Sequence, residues 1–210
     1  MIRAVLWDFG GVILSSPFDA FASYEREVGL PEGFLRKVNA TNPDDNAWAK
    51  LERSEVGLAE FARLFEEEAA ALGGTVSGDR VLGLLNGEIR PEMVAALVRV
   101  RNAGYRTACL TNNILGTSGG PAERQRHVEE VMGLFDAVVE SSKVGIRKPE
   151  PQFYEIACAT LGVQPAQCVF LDDLGVNLKP ARAMGMTTIK VVTPDQALAD
   201  LEAVLDLPLR

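Results

Sequence analysis

The period of the apolar positions changes along the chain, and each change marks an element. Ala4-Val5-Leu6-Trp7 is a short unbroken apolar run, the pattern of a strand buried on both faces of a parallel sheet. It ends on a carboxylate, Asp8, and Gly10-Gly11 follow before Val12 and Ile13. The glycine pair lets the backbone turn sharply and come close to a ligand. Asp8 then stands at the carboxyl end of a central strand, where open α/β sheets bind ligands. Taken alone, it reads equally as the cap of a following helix. Ser15-Ser16-Pro17 is a helix-start signal, and from Phe18 to Asn86 the apolar spacing is helical throughout. Phe18, Phe21 and Tyr24 share a face, as do Trp48 and Leu51, then Leu58, Phe61, Leu64, Phe65 and Leu72. Gly29-Leu30-Pro31, Asn42-Pro43 and Gly73-Gly74 punctuate these helices. The aromatic stripes read as core packing, and Glu66-Glu67-Glu68 as a solvated face.

From Arg90 onward strands and helices alternate. The pattern predicts a helix from Pro91 to near Gly104, then a strand over Tyr105–Leu110. A Gly-rich loop spans Gly116 to Gly120, and a helix carrying Val128, Val131 and Met132 follows. A strand over Asp136–Glu140 leads into a loop from Lys143 to Lys148. Pro149-Glu150-Pro151 opens a helix, and a strand covers Cys168–Leu171. A helix runs over Leu178–Met184, a strand over Thr187–Val192, and a last helix carries Leu198, Leu201 and Leu205. Such alternation calls for a parallel sheet with right-handed crossovers. The predicted class is α/β, a Rossmann-like three-layer parallel sheet core formed by residues 1–14 and 88–210. An all-helical cap, residues 15–87, is inserted over the sheet edge.

Composition narrows the function classes. The chain has 210 residues, 47% hydrophobic and 24% charged, with a formal net charge of −8. That length holds one sizeable core plus an inserted subdomain. The acidic balance argues against nucleic-acid binding through a basic face. No apolar run approaches the roughly 20 residues that span a bilayer, and the start lacks the pattern of a signal peptide. Cys109, Cys158 and Cys168 sit singly in apolar segments, without metal-site spacing, and read as reduced core residues. The expectation is a cytoplasmic protein with no nucleic-acid or membrane partner. The oligomeric state is left open. His127 reads as an exposed helix residue, and Arg147 as either solvated or an attractor of anions.

Four stretches fall at or just beyond predicted strand ends: Asp8, Thr111-Asn112, Lys148 and Asp172-Asp173. In a parallel sheet those ends share one edge and can converge. Each has a bland reading as a turn, a surface lysine or a helix cap. Jointly they share one chemistry. Two like charges about 4 Å apart repel by roughly 4 kcal/mol near a protein surface, and Lys148 offsets only part of that repulsion. A divalent cation offsets the rest, and all-oxygen ligands without histidine suit Mg²⁺. Thr111 and Asn112 add neutral donors. A carboxylate free to attack phosphorus remains, which is a known covalent strategy.

The matching stretches are Trp7-Asp-Phe-Gly-Gly-Val-Ile13, Leu110-Thr-Asn-Asn113, Val144-Gly-Ile-Arg-Lys-Pro-Glu-Pro151 and Val169-Phe-Leu-Asp-Asp-Leu-Gly-Val-Asn-Leu-Lys-Pro-Ala-Arg182. On these the chain resembles the haloacid dehalogenase-like hydrolase superfamily. Within it, the chain is similar to the N-terminal phosphatase domain of soluble epoxide hydrolases and to a related domain of acyl-CoA dehydrogenase fusions. The resemblance covers almost the whole chain and is weakest in the helical insert. It implies that Asp8 is nucleophile and Mg²⁺ ligand, with the Gly10 carbonyl and Asp173 as further ligands. Asp172 stands in the outer shell or shares the metal. The resemblance also implies that Thr111 and Asn112 hold phosphate and that Lys148 neutralises it. Asn177 holds a metal-bound water or orients the loop. The implied substrate is a small phosphorylated metabolite. The epoxide-opening activity of those relatives belongs to a C-terminal domain and is not expected of these residues.

One position departs from the pattern. Phosphatases of the family usually carry a second aspartate two residues after the nucleophile, as general acid and base, and here that position is Gly10. Metal binding survives the change, because that position binds through its backbone. Two other readings follow: a metal-independent 2-haloacid dehalogenase, or a catalytically weak binding or regulatory protein on the same scaffold. Specificity is assigned to the cap and to the loop from Ile114 to Pro121.

Overall fold

The computed structural model describes residues 1–113 and 122–210. The loop assigned to specificity, Ile114 to Pro121, lies outside the described residues. Five parallel strands form one sheet: β1 (Ala4–Trp7), β2 (Arg106–Thr111), β3 (Ala137–Glu140), β4 (Cys168–Asp172) and β5 (Thr187–Lys190), in the order β3-β2-β1-β4-β5. The unbroken apolar run therefore takes the central place. Trp7 lies level with Cys109 of β2 and Leu171 of β4, so Asp8 emerges between the ends of both neighbours.

Helices flank the sheet on both sides. They are α6 (Pro91–Asn102), α7 (Ala122–Met132), α8 (Ser141–Val144), α9 (Pro151–Leu161), α10 (Gly175–Ala183) and α11 (Pro194–Leu205), preceded by α1 (Phe18–Val28), α2 (Phe34–Ala40), α3 (Ala47–Glu52), α4 (Leu58–Ala71) and α5 (Gly78–Gly83) in the insert. Alternate residues of β1 serve opposite faces, as the strand period requires. Val5 and Trp7 pack with Met93, Leu97, Leu198 and Leu201. Ala4 and Leu6 pack with Phe153, Tyr154, Leu178 and Ala181. This is the three-layer core that the alternation of elements predicts.

The insert is helical and carries an apolar cluster of its own, including Phe21, Tyr24, Trp48, Leu51, Phe61 and Phe65. Trp48 meets the ring of Phe61 edge-on at 4.7 Å, and Phe61 stacks on Phe65 at 5.4 Å. The aromatic stripes are thus packing surfaces. Glu25, buried within the insert, accepts from the backbone N–H groups of Gly33 and Leu35, both at 2.8 Å, and so clamps the start of α2. The chain enters and leaves the insert side by side. Leu14 and Ile89 form an antiparallel bridge, and Ser15 N donates to Glu88 O at 2.7 Å.

Several local expectations shift. The stretch expected to be loop from Lys143 opens instead with α8, because Asn113 Oδ1 accepts from the backbone N and hydroxyl of Ser142 and organises that turn. Pro151, not Pro149, begins α9. Helix α10 begins at Gly175 rather than Leu178. The three cysteines are free and buried, and His127 is exposed. Among the described residues no helix is long and apolar enough to cross a membrane.

Candidate active site

Strand β1 delivers Asp8 to the carboxyl edge, where its N–H continues the sheet by donating to Leu171 O at 2.8 Å. Beyond it the chain makes one wide irregular turn, Phe9–Ile13. The two glycines of that turn have different requirements. Gly10 has φ −69° and ψ 133°, open to any residue, whereas Gly11 has φ 74°. A Cβ on Gly11 would stand 2.2 Å from Asp173 Oδ2, while one on Gly10 would meet nothing within 4 Å among the described residues beyond its chain neighbours. Only the second glycine is demanded by backbone angle and space.

Asp8, Asp172 and Asp173 each place a carboxylate oxygen within 4.8 Å of the others. Lys148 sits among them, 1% exposed, with Nζ 2.8 Å from Asp8 Oδ1 and 2.8 Å from Asp172 Oδ2. Asp8 Oδ1 also accepts from Phe9 N at 2.6 Å; among the described residues, Asp8 Oδ2 accepts no hydrogen bond. Asp172 is fully buried and spent on both oxygens. It accepts from Lys148 Nζ, from Leu174 N at 2.8 Å, and from Asn177 Nδ2 at 3.1 and 3.0 Å. Asn177 is held in turn by Tyr154, whose hydroxyl donates to the Asn177 carbonyl at 2.7 Å. Asp173 is less committed, receiving a long bond of 3.4 Å from Ser16 Oγ.

Three carboxylates around one ammonium leave a formal excess of two negative charges. Burial pushes the Asp8 carboxyl well up, and Asp172 and Asp173 push it further, against the pull of Lys148. Burial, then Asp172, raise Asp173 to about 6. Burial by itself would depress the Lys148 ammonium, but Asp172 and Asp8 outweigh it and hold that group above its ordinary value. The lysine is therefore a fixed positive charge, and the pocket calls for another.

Thr111 ends β2 at the same edge and is buried. Asn112 is turned to a different use from the open donor the sequence suggests. Its Oδ1 accepts from Lys148 N at 2.9 Å, and its Nδ2 donates to Lys148 O at 3.0 Å and to Glu52 Oε2 at 3.1 Å. The Asn112 side chain thus brackets the main chain of Lys148. Asn177 likewise serves Asp172. Arg147 is neither solvated nor free to attract anions. Its Nε donates to Glu52 Oε2 at 2.6 Å, with both side chains 15% exposed. Burial raises the Glu52 carboxyl, with Arg147 the chief opposing pull. Sequence reasoning missed Glu52, Ser16 and Tyr154. Each is a single polar or aromatic residue in an ordinary helical or turn pattern, with no local signal of its destination.

A family profile described as haloacid dehalogenase-like hydrolase matches residues 2–185. Bifunctional epoxide hydrolase 2 of Sus scrofa is 33% identical over 220 residues, which is 99% of this chain and 40% of that protein. The chain therefore spans about two-fifths of that relative's length. Phosphatase MT3486 of Mycobacterium tuberculosis is 30% identical over 98% of this chain and 97% of its own length. A HAD-family enzyme from Bacteroides thetaiotaomicron, solved with magnesium and inorganic phosphate, shares the fold at a TM-score of 0.57 and 20% identity, covering 90% of this chain and 94% of that one. A carboxylate after the central strand, a buried lysine, paired aspartates at the end of β4 and a match over most of the length all agree: the chain belongs to the haloacid dehalogenase-like hydrolases.

Proposed function

We propose that this hydrolase is a Mg²⁺-dependent phosphatase that cleaves small phosphate monoesters through an aspartyl-phosphate on Asp8. One observation carries the reading: a cluster of three carboxylates, two of them buried and the third half-buried, arranged around a fixed buried lysine at the carboxyl edge of the central strand. The donor set fits a hard divalent cation, being all oxygen and in excess of negative charge. Asp8 and Asp173, with the Gly10 carbonyl, would hold the ion. Asp172, whose oxygens are already engaged, fits an outer position that fixes Lys148. When bound, the ion supplies charge that offsets the carboxylates and polarises the phosphoryl group.

The protein's own residues account for the rest. Asp8 attacks phosphorus with one carboxylate oxygen, forming an acyl phosphate as the bond from phosphorus to the ester oxygen breaks. The Lys148 ammonium neutralises phosphoryl oxygens in both steps, and the Thr111 hydroxyl with the Asn112 backbone donates to them. Water then attacks the phosphorus of the intermediate, which releases phosphate and restores Asp8. Residues 15–87, with their own apolar cluster and paired connections, serve as the cap that selects the leaving group.

Purified protein should release phosphate from a panel of phosphomonoesters in the presence of Mg²⁺ and lose that activity in excess EDTA. Release that continues unchanged under EDTA would refute the metal assignment. A second reading, a catalytically weak binding protein, is favoured by the empty space at Gly10. An absence of turnover across the panel with Mg²⁺ present would establish it.

A further inference from the structure

Lys148 is held at Nζ by carboxylates and at its main chain by Asn112, and Asn112 is held by a residue from the insert. We propose that Glu52 is a positioning residue that completes the active site: it fixes Asn112 and Arg147, and through them the segment that carries Lys148. The inference rests on the phosphatase reading for its kinetic consequence, but its structural content stands apart from that reading.

Helix α3 presents Glu52 at its last position. The helix is anchored firmly within the insert. Asn46 caps it by accepting from Ala49 N at 2.9 Å, Glu68 Oε1 accepts from Ala47 N at 2.7 Å, and Trp48 and Leu51 are buried in the insert's apolar cluster. Glu52 is thus anchored in the insert rather than in the sheet. Its Oε2 receives two donors from the core, Arg147 Nε and Asn112 Nδ2. Arg147 Nη1 also donates to Pro43 O at 2.9 Å, so a second segment of the insert grips the same arginine. Arg147 directly precedes Lys148, and Asn112 bonds both backbone polar groups of Lys148. The path from Glu52 to the Lys148 backbone is therefore short, polar and largely buried, a setting in which an unpaired group is costly.

The contact also differs from mere docking. Ser54 Oγ donates to Ser142 O at 3.3 Å, a second bond between insert and core that touches neither Asn112 nor Arg147. Ser54 is the control. Removing Glu52 takes one of its two acceptors from Asn112 Nδ2, leaving only the bonds to the Lys148 main chain, and leaves the Arg147 guanidinium without its carboxylate. Removing the Ser54 hydroxyl leaves both in place.

The test compares Glu52→Ala, Glu52→Gln and Ser54→Ala in the full chain by two readouts. The first is kcat and KM for p-nitrophenyl phosphate with Mg²⁺. Misplacement of a catalytic group by a fraction of an ångström costs on the order of 10- to 100-fold, so E52A should lose that much, chiefly in kcat. E52Q keeps an acceptor oxygen and should stay within about threefold of wild type, since a neutral hydrogen bond has about half the strength of a charged one. S54A should match wild type. The second readout is acetylation of Lys148 by an amine-reactive reagent, followed by mass spectrometry. Wild type, E52Q and S54A should protect this lysine, and E52A should expose it, with Tm recorded for all. If E52A does not fold, Glu52→Asp, which withdraws the carboxylate by one methylene, carries the same expectation. Wild-type labelling of Lys148 in E52A, or equal losses in E52A and S54A, overturns the proposal. A wild-type protein without turnover refutes the phosphatase reading alone, because the labelling still decides the role of Glu52.

Discussion

By the resemblance to phosphatases of the family, Gly10 stands where a general acid is expected, and placing a carboxylate there tests the consequence directly. The backbone permits it: φ −69° and ψ 133° suit aspartate, and among the described residues, its chain neighbours aside, no atom lies within 4 Å of the Cβ it would add. Replacing glycine at a compatible position gains about 0.4–1 kcal/mol through the unfolded chain. Against this, a fourth carboxylate near Asp8 costs about 1 kcal/mol in water-like surroundings and about 4 kcal/mol near a protein surface, at 4 Å. The net lies between about zero and a loss of roughly 3.6 kcal/mol, and each kcal/mol lowers Tm by about 2–4 °C in a chain of this size. A bound cation would reduce the loss. The same repulsion raises the proton affinity of the new carboxyl, which is what a general acid near neutral pH needs.

A positioned general acid contributes ~10²–10⁴-fold, or roughly 3–5 kcal/mol of barrier. The benefit is large for a basic alkoxide leaving group and small for p-nitrophenolate, which needs no proton. Wild type should therefore hydrolyse aryl and acyl phosphates and sugar-1-phosphates far better than simple alkyl phosphates. Gly10→Asp should raise kcat/KM for an alkyl phosphate by about 10- to 100-fold, at or below the bottom of that range because nothing else orients the new acid. It should leave p-nitrophenyl phosphate nearly unchanged. The assay is the ratio of kcat/KM for the two substrates in both proteins, with Tm alongside. A folded mutant with an unchanged ratio would show that a missing acid here does not limit the enzyme. The neighbouring change makes the contrast. Gly11→Ala meets Asp173 at 2.2 Å from a positive φ and should lose both activity and stability.

Other consequences follow from the same geometry. Asp8→Asn should abolish phosphate release while the protein stays folded, since an amide is no nucleophile toward phosphorus; near wild-type turnover would remove Asp8 from that role. Lys148→Ala should raise KM and lower kcat together, because one ammonium serves both binding and the reacting state; a change in KM alone would limit the lysine to binding. Glu25→Ala breaks two charge-assisted bonds to the start of α2, one buried and one part-buried. It should cost about 3 kcal/mol or more, seen as a Tm lower by roughly 6–12 °C, and an unchanged Tm would show that the clamp contributes nothing.

The sheet was legible because its signals are local. Four apolar residues in a row, a carboxylate and a glycine pair occur within eight positions, Ala4 to Gly11, and together they place β1 at the centre. The convergence of Asp8, Lys148 and the two aspartates followed from the rule that parallel strands share one carboxyl edge. The partnerships that hold those groups were not legible. Asn112 meets Lys148 across 36 positions and Glu52 across 60, and Arg147 meets Glu52 across 95. Periodicity reports which face of an element is buried; it carries no information on which polar residue of another element arrives there.

The same limit explains why the helix-cap readings and the functional readings of these carboxylates looked like rivals. In the folded chain both hold at once. Asp8 accepts from Phe9 N and also binds the Lys148 ammonium; Asp172 accepts from Leu174 N, at the entrance to α10, and binds the same ammonium. A carboxylate at the end of a parallel strand meets the free N–H groups of the turn that follows, so capping comes with the position. Those bonds fix the carboxylate's orientation before any substrate arrives, which is the preorganisation that charge-stabilising catalysis requires. What separates Asp172 from Asp173 is then how much capacity capping leaves. Asp172 has both oxygens engaged, while among the described residues Asp173 accepts only the long bond from Ser16 Oγ and lies against Gly11, where an added Cβ would stand 2.2 Å from its Oδ2.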